Sequence, residues 1–213
     1  MFLHDPQKLN PYSYCRNNPL KYTDPTGMIL TLTGDNDEDL KKAKQDIYEQ
    51  VGEANKGRVS FGDGGVVSFD TKGLDLSKSE GASLINQLVS SKKNYGYGVG
   101  SVKGAVTEDF GIINRSETPH MSVLKKGQIP SGGFVKLAGT GGWKQGGEAI
   151  PRKNVVLHEL SENYSRTDLK KFYQDLPLGA TGAHIDAIDR TRNWGAQGLT
   201  VPPYADGPCI YVP

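Results

Sequence analysis

The segment Val155-Val156-Leu157-His158-Glu159-Leu160-Ser161-Glu162-Asn163 gathers side chains whose types and spacing could do chemistry. On a helix of 3.6 residues per turn, His158 and Glu162 point the same way, one turn above the other. Glu159 lies about 100° round from His158, within reach of a water held between the other two. Val155, Val156, Leu157 and Leu160 give this helix an apolar side, so the polar trio would look out from a buried helix into a cleft. Farther on, Ala183 to Asp189 reads as another helix, with Ile185, Ile188 and Trp194 toward a core and His184 on a different face. A catalytic zinc ion takes three protein ligands and keeps a fourth position for water, and two His plus one Glu is a known set. His158, Glu162 and His184 are the expected ligands of a Zn2+ ion, and Glu159 is the expected general base. The 21 residues from 163 to 183 leave room for a turn, a short helix and a return. A plainer reading competes with this one: a His and two Glu within five residues are common on solvated helices. The usual short zinc helix also carries His at both ligand positions, where here the second is Glu162.

Around this pair of helices the sequence predicts a scaffold. Asp35-Asn36-Asp37 can cap a helix over about residues 37 to 56. Its apolar face would be Leu40, Ala43, Ile47, Val51 and Ala54, with Gly57 placed to end it. Residues 58–61 and 66–69 flank Gly62-Asp63-Gly64-Gly65 as a β-hairpin with a four-residue loop. A helix from about Ser79 to Lys93 turns Leu84, Ile85, Leu88 and Val89 inward. Tyr95 to Val102 alternates large and small residues as a strand does. Its glycines would allow tight packing against a helix or, alternatively, mark an edge strand to which an extended peptide adds. Seven glycines lie between 131 and 147. They lack the spacing of a phosphate loop, which rejects nucleotide binding and leaves a flap or hairpin beside the chemically active helix. Thr167 to Phe172 reads as a short capped helix. His120 is a spare loop histidine. The expected class is α+β, with a small mixed or antiparallel sheet packed against several helices.

The first 28 residues have a separate character. Leu9-Asn10-Pro11-Tyr12-Ser13-Tyr14-Cys15-Arg16-Asn17-Asn18-Pro19-Leu20-Lys21-Tyr22-Thr23-Asp24-Pro25-Thr26-Gly27 is dense in Asn, Pro and Tyr, which fix turns and supply packing. This stretch closely resembles the end of the core region of Rhs-repeat (YD-repeat) proteins, large β-shells whose last motif precedes a variable C-terminal toxin. The resemblance implies a boundary after residue 28, with residues 29–213 as the toxin domain and Met1 as a fragment start. It also implies an autocleavage motif at Asp24, Pro25, Gly27 and Met28, cut at the Met28–Ile29 bond by a pair of aspartates, Asp24 and, as the candidate for the second, Asp5. Asp5-Pro6-Gln7-Lys8 departs from the family pattern by lacking its usual Gly. The alternative is that Asp24 to Gly27 forms a simple turn. Further implications are delivery into a target cell and a cognate immunity protein, besides the rest of the shell.

The order helix, connector, ligand-bearing helix resembles the zincin-like metallopeptidases, particularly those at the ends of polymorphic toxins. The likeness rests on His158-Glu159-x-x-Glu162 and His184-x-x-Ala187 and covers about 45 residues. It implies a protein or peptide substrate. In that reading Asn163, Asp186 or Asp189 orients the imidazoles, and Tyr164 and Arg190 are candidates to stabilise the oxyanion. The rivals are a metal-dependent nuclease using His184 with Asp186 or Asp189, and a non-catalytic binding domain.

Composition bounds these readings. A chain of 213 residues can bury a sizeable core. Removing Lys8, Arg16 and Lys21 from the 25 basic residues, and Asp5 and Asp24 from the 24 acidic ones, leaves residues 29–213 balanced in charge. That balance weighs against a nucleic-acid partner, which calls for a basic excess or stripe. No stretch reaches the roughly 20 apolar residues of a membrane helix. Met1 to Pro6 lacks the basic start and apolar run of a signal peptide. Cys15 and Cys209 have no metal-like spacing and are expected as two unpaired thiols.

Overall fold

The computed structural model describes residues 29–110, 131–145, 147–171, 182–196 and 210–212. Outside them lie Asp5, Asp24, Pro25, Gly27, Met28, both cysteines and His120. The described residues form an α+β fold around a four-stranded mixed sheet. The strands are β1 (Ile29–Gly34), β4 (Asn94–Gly100), β6 (Gly132–Ala138) and β5 (Ala105–Phe110), in the order β1-β4-β6-β5. The first three run parallel, and β5 lies antiparallel to β6 at the edge. A hairpin of β2 (Val59–Phe61) and β3 (Val67–Phe69) stands beside β1. A second sheet has the order β8-β7-β9, from β7 (Gly142–Gln145), β8 (Glu148–Ile150) and β9 (Ile210–Val212). Among the described residues the α-helices are α1 (Asp37–Val51), α2 (Glu80–Ser90), α3 (Arg152–Thr167) and α4 (Ala183–Ala196). None is long and apolar enough to cross a membrane.

Local chemistry sets the helix ends. Asn36 accepts a hydrogen bond from the Asp39 N–H at 3.0 Å, and Asp37, Glu38 and Asp39 place negative charge at the positive end of α1. The helix ends earlier than its apolar spacing suggests. Gly52, at φ 81°, takes the left-handed conformation that stops it, so Ala54 and Gly57 fall in a following 3₁₀ segment. Ser79 caps α2 through the Ala82 N–H at 3.2 Å. The β2–β3 loop spans residues 62 to 66, because the register pairs Phe61 with Val67.

Two expectations are corrected by the sheet. The Tyr/Gly strand, β4, is interior, hydrogen-bonded to β1 on one side and β6 on the other, so no peptide can add to it. Its glycines do not meet a helix either. A Cβ at Gly96 would lie 2.4 Å from the Phe134 ring, and one at Gly98 would lie 2.6 Å from the Thr33 hydroxyl. The glycines make room for neighbouring side chains on the far face, while Tyr95, Tyr97 and Val99 face the helical layer and are buried. The second correction concerns Thr167, which is the last residue of α3, with Asp168 as its C-cap, rather than the start of a new helix.

The glycine-rich stretch is β6 followed by the β7–β8 hairpin, which leads directly through Pro151 into α3. A core of Leu30, Leu32, Ile47, Leu84, Ile85, Leu88, Val135, Leu137, Val156, Leu157 and Leu160 fills the space between sheet and helices. Burying such side chains contributes about 1.5–3 kcal/mol each before the cost of ordering the chain.

Candidate metal centre

Helix α3 is clamped at both ends to tyrosines of one strand. At its start, Arg152 makes a forked contact with Asp46 of α1, with Nε–Oδ1 and Nη2–Oδ2 both 2.8 Å. Its Nη1 donates to the Ala138 carbonyl at the end of β6 (2.7 Å), and its guanidinium lies 5.7 Å from the centre of the Trp143 ring. The Tyr97 hydroxyl donates to the same Asp46 carboxylate at 2.5 Å. Burial and the Asp46 charge push the Tyr97 phenol well above its ordinary range, so it remains a donor. At the other end Asp168 accepts from the Tyr95 hydroxyl and, at 2.6 Å, from Ser91. The middle of α3 lies close on β6, since a Cβ at Gly133 would stand 2.1 Å from Asn163 Oδ1.

On this mounted helix His158 and Glu162 are buried, 4% and 5% exposed, and both lean toward α4. His184, in the first turn of α4, completes the group. The His158 Nε2 to His184 Nδ1 distance is 3.2 Å, and Glu162 Oε2 lies 3.5 Å from each of those nitrogens. Tetrahedral coordination with bonds of about 2.1 Å needs donor atoms about 3.4 Å apart. The triangle of two imidazole nitrogens and one carboxylate oxygen meets that requirement. Glu162 Oε1 is also buried and has no hydrogen-bond partner among the described residues. His158, Glu162 and His184 are thus a group that could hold a metal ion.

The electrostatics separate the two glutamates. Burial pushes the Glu162 carboxyl up, but hydrogen bonds and charge from His158 and His184 outweigh it and hold Glu162 ionised well below its usual range. Glu159 is raised, first by enclosure of its carboxyl and then by the Glu162 charge, against a smaller lowering by His184 and by a hydrogen bond to Thr107 of β5. A carboxylate that stays charged and a neighbouring carboxyl poised to hold a proton are different tools made from one residue type.

The remaining sequence candidates are engaged elsewhere. Asn163 Oδ1 accepts from Thr167 at 3.3 Å and lies against β6. Asp186 pairs with Lys171 at 2.6 Å, and Asp189 is exposed. Arg190 binds α2 instead of a cleft, through Gln87 at 2.8 Å and Glu80 at 3.4 Å. Tyr164 packs 6.4 Å from the Tyr95 ring, centre to centre. These contacts give Asn163, Arg190 and Tyr164 packing and tethering work. On α4 the inward residues are Ala183, Ala187 and Thr191, at steps of four, while Ile185 and Ile188 are half-buried. The Trp194 side chain falls outside those described.

Sequence reasoning missed Thr107, Arg152, Asp46, Tyr95 and Asp168. Each matters only through a partner far along the chain, so no local spacing signals it. Comparison with family models, with curated proteins and with solved structures returned no match.

Proposed function

We propose that the chain is a zinc-dependent peptide hydrolase of zincin-like design, carried as the C-terminal toxin of an Rhs-type protein. The observation that carries this reading is the donor triangle of His158, Glu162 and His184 with Glu159 beside it. The toxin assignment rests on the Asn/Pro/Tyr motif of residues 9–27. Zinc bound by that set would supply an acidified water and polarise a scissile carbonyl. Glu159 takes the proton of the attacking water and passes it to the leaving amine. Its raised affinity for a proton suits a group that must first accept and then donate one near neutral pH.

The substrate surface also fits. Among the described residues β5 pairs only with β6, leaving its other edge open beside α3. An extended peptide adds to such an edge by main-chain hydrogen bonds, which suits a target segment in strand conformation. The role first considered for the Tyr/Gly strand thereby passes to β5. A dedicated immunity protein covering this cleft belongs to the same proposal.

The test is expression in bacteria of the wild-type chain and of Glu159→Gln, followed by proteome-wide mapping of new protein termini and zinc analysis of the purified proteins. Expected are about one zinc per chain in both and new termini only with the wild type. A zinc-free protein, or toxicity undiminished in Glu159→Gln, would defeat the reading.

A further inference from the structure

The edge strand carries more than backbone. In the β5–β6 register Thr107 stands opposite Val135, and Ala105 opposite Leu137. Cross-strand partners share a face of the sheet. Val135 and Leu137 alternate with Phe134 and Lys136 and share the face of Gly133, which lies against Asn163 of α3. Thr107 therefore projects under α3, and Ala105 beside it offers no polar group. Glu159 lies one turn from Asn163 on the same side of α3, and the half-buried Thr107 hydroxyl is among the groups that lower its carboxyl's proton affinity. Glu159 is one residue from His158 and three from Glu162 on α3, which makes it a neighbour of the donor triangle on the helix surface.

We propose that Thr107 is a positioning residue for Glu159: its hydroxyl donates to one carboxylate oxygen and leaves the other facing the space in front of His158, Glu162 and His184. This rests on the metallopeptidase reading and adds to it a specific partner for the base. A glutamate has three rotatable side-chain bonds, and a base that must find one proton gains from having them fixed. The hydroxyl comes from the strand whose open edge is the proposed peptide-binding surface. A peptide seated on β5 and the base that serves it are thus held by one element, and a shift in one moves the other.

The experiment uses the full chain loaded with zinc and acetohydroxamate as probe. This small hydroxamic acid delivers its proton to a neighbouring base when it binds a zinc ion, so its affinity reports where the Glu159 carboxyl stands without any need for turnover. Zinc affinity and acetohydroxamate affinity are measured for wild type, Thr107→Val, Thr107→Ser, Glu159→Gln and the double variant Thr107→Val/Glu159→Gln. Thr107→Val, which keeps the branched shape, should leave zinc affinity within about twofold and weaken the probe roughly tenfold, the worth of one hydrogen bond to a charged group. Thr107→Ser should restore it. In the Glu159→Gln background, Thr107→Val should cost nothing further, because the hydroxyl acts only through that carboxylate. Wild-type affinity in Thr107→Val, or an equal loss with and without Glu159, overturns the positioning role while leaving the hydrolase reading intact. Zinc-loaded wild type that ignores acetohydroxamate, or Glu159→Gln that binds it as wild type does, overturns the hydrolase reading and this inference with it.

Discussion

At the scale of single residues, two glutamates one turn apart on α3 differ in which form they hold. Glu162 stays ionised because two imidazoles surround it, and Glu159 holds its proton because enclosure and Glu162 disfavour a second charge. The sign of the linkage follows. A carboxyl with a raised folded pKa binds protons more tightly folded than unfolded. It therefore costs the metal-free protein stability as pH rises from the unfolded value toward the raised one. Glu159→Gln removes that cost. We expect the metal-free variant to melt higher than metal-free wild type at pH 8, with the gap closing toward pH 4. Each kcal/mol relieved is worth roughly 2–4 °C in a chain of this size. Glu162 works the other way: its contribution is present above its unfolded pKa and is lost as pH falls through its lowered one. A thermal-melt series from pH 4 to pH 8, with chelator throughout, measures both. Equal slopes for the two proteins would contradict the assignment for Glu159.

At the scale of elements, the geometry of the centre depends on how firmly α3 is held. Asp46 is 2% exposed, and Arg152 gives it a forked partner. Arg152→Ala would strand that carboxylate, a loss of about 3–5 kcal/mol, read by denaturant unfolding. Arg152→Lys should recover only part, because an ammonium cannot bridge both carboxylate oxygens and the Ala138 carbonyl from one plane. The middle of the helix is set by close approach. Gly133→Ala should destabilise by about 1–3 kcal/mol, since the added methyl meets the Asn163 amide. The pair Gly133→Ala/Asn163→Ala should regain most of the loss, whereas purely additive effects would place the strain elsewhere.

At the scale of the whole molecule, α4 packs on α3 and α2 and adds polar ties to both sides. Its inward side chains are Ala183, Ala187 and Thr191, which bury little area. Half-buried Ile185 and Ile188 add to its hold, as do Arg190 on α2, Lys171 with Asp186, and His184 at the donor triangle. A metal ion shared by α3 and α4 would join them and stabilise the fold by mass action, about 4 kcal/mol at a thousandfold excess over Kd. Chelation should therefore lower the melting temperature and speed amide exchange in residues 183–196, with β4 and β6 little changed. Hydrogen-exchange mass spectrometry measures this directly, and uniform loosening would show that the metal does not join those two helices.

What the amino-acid order settled by itself is local. The spacing of His158, Glu159 and Glu162 on one helix, a cap within Asp35-Asn36-Asp37, the β2–β3 hairpin and the α+β class all follow from patterns of a few residues, which the backbone imposes on any sequence. The helix end at Gly52 shows the limit even there, since Ala54 keeps the apolar period while glycine adopts the conformation that ends it. Tertiary structure alone decided that β4 is interior and, among the described residues, β5 the edge, and that His184 presents Nδ1 to Glu162. It also decided that Arg152 finds Asp46, a partner 106 positions away. Such pairings depend on strand order and on which surfaces fit when the chain closes on itself, and neither leaves a trace in local spacing.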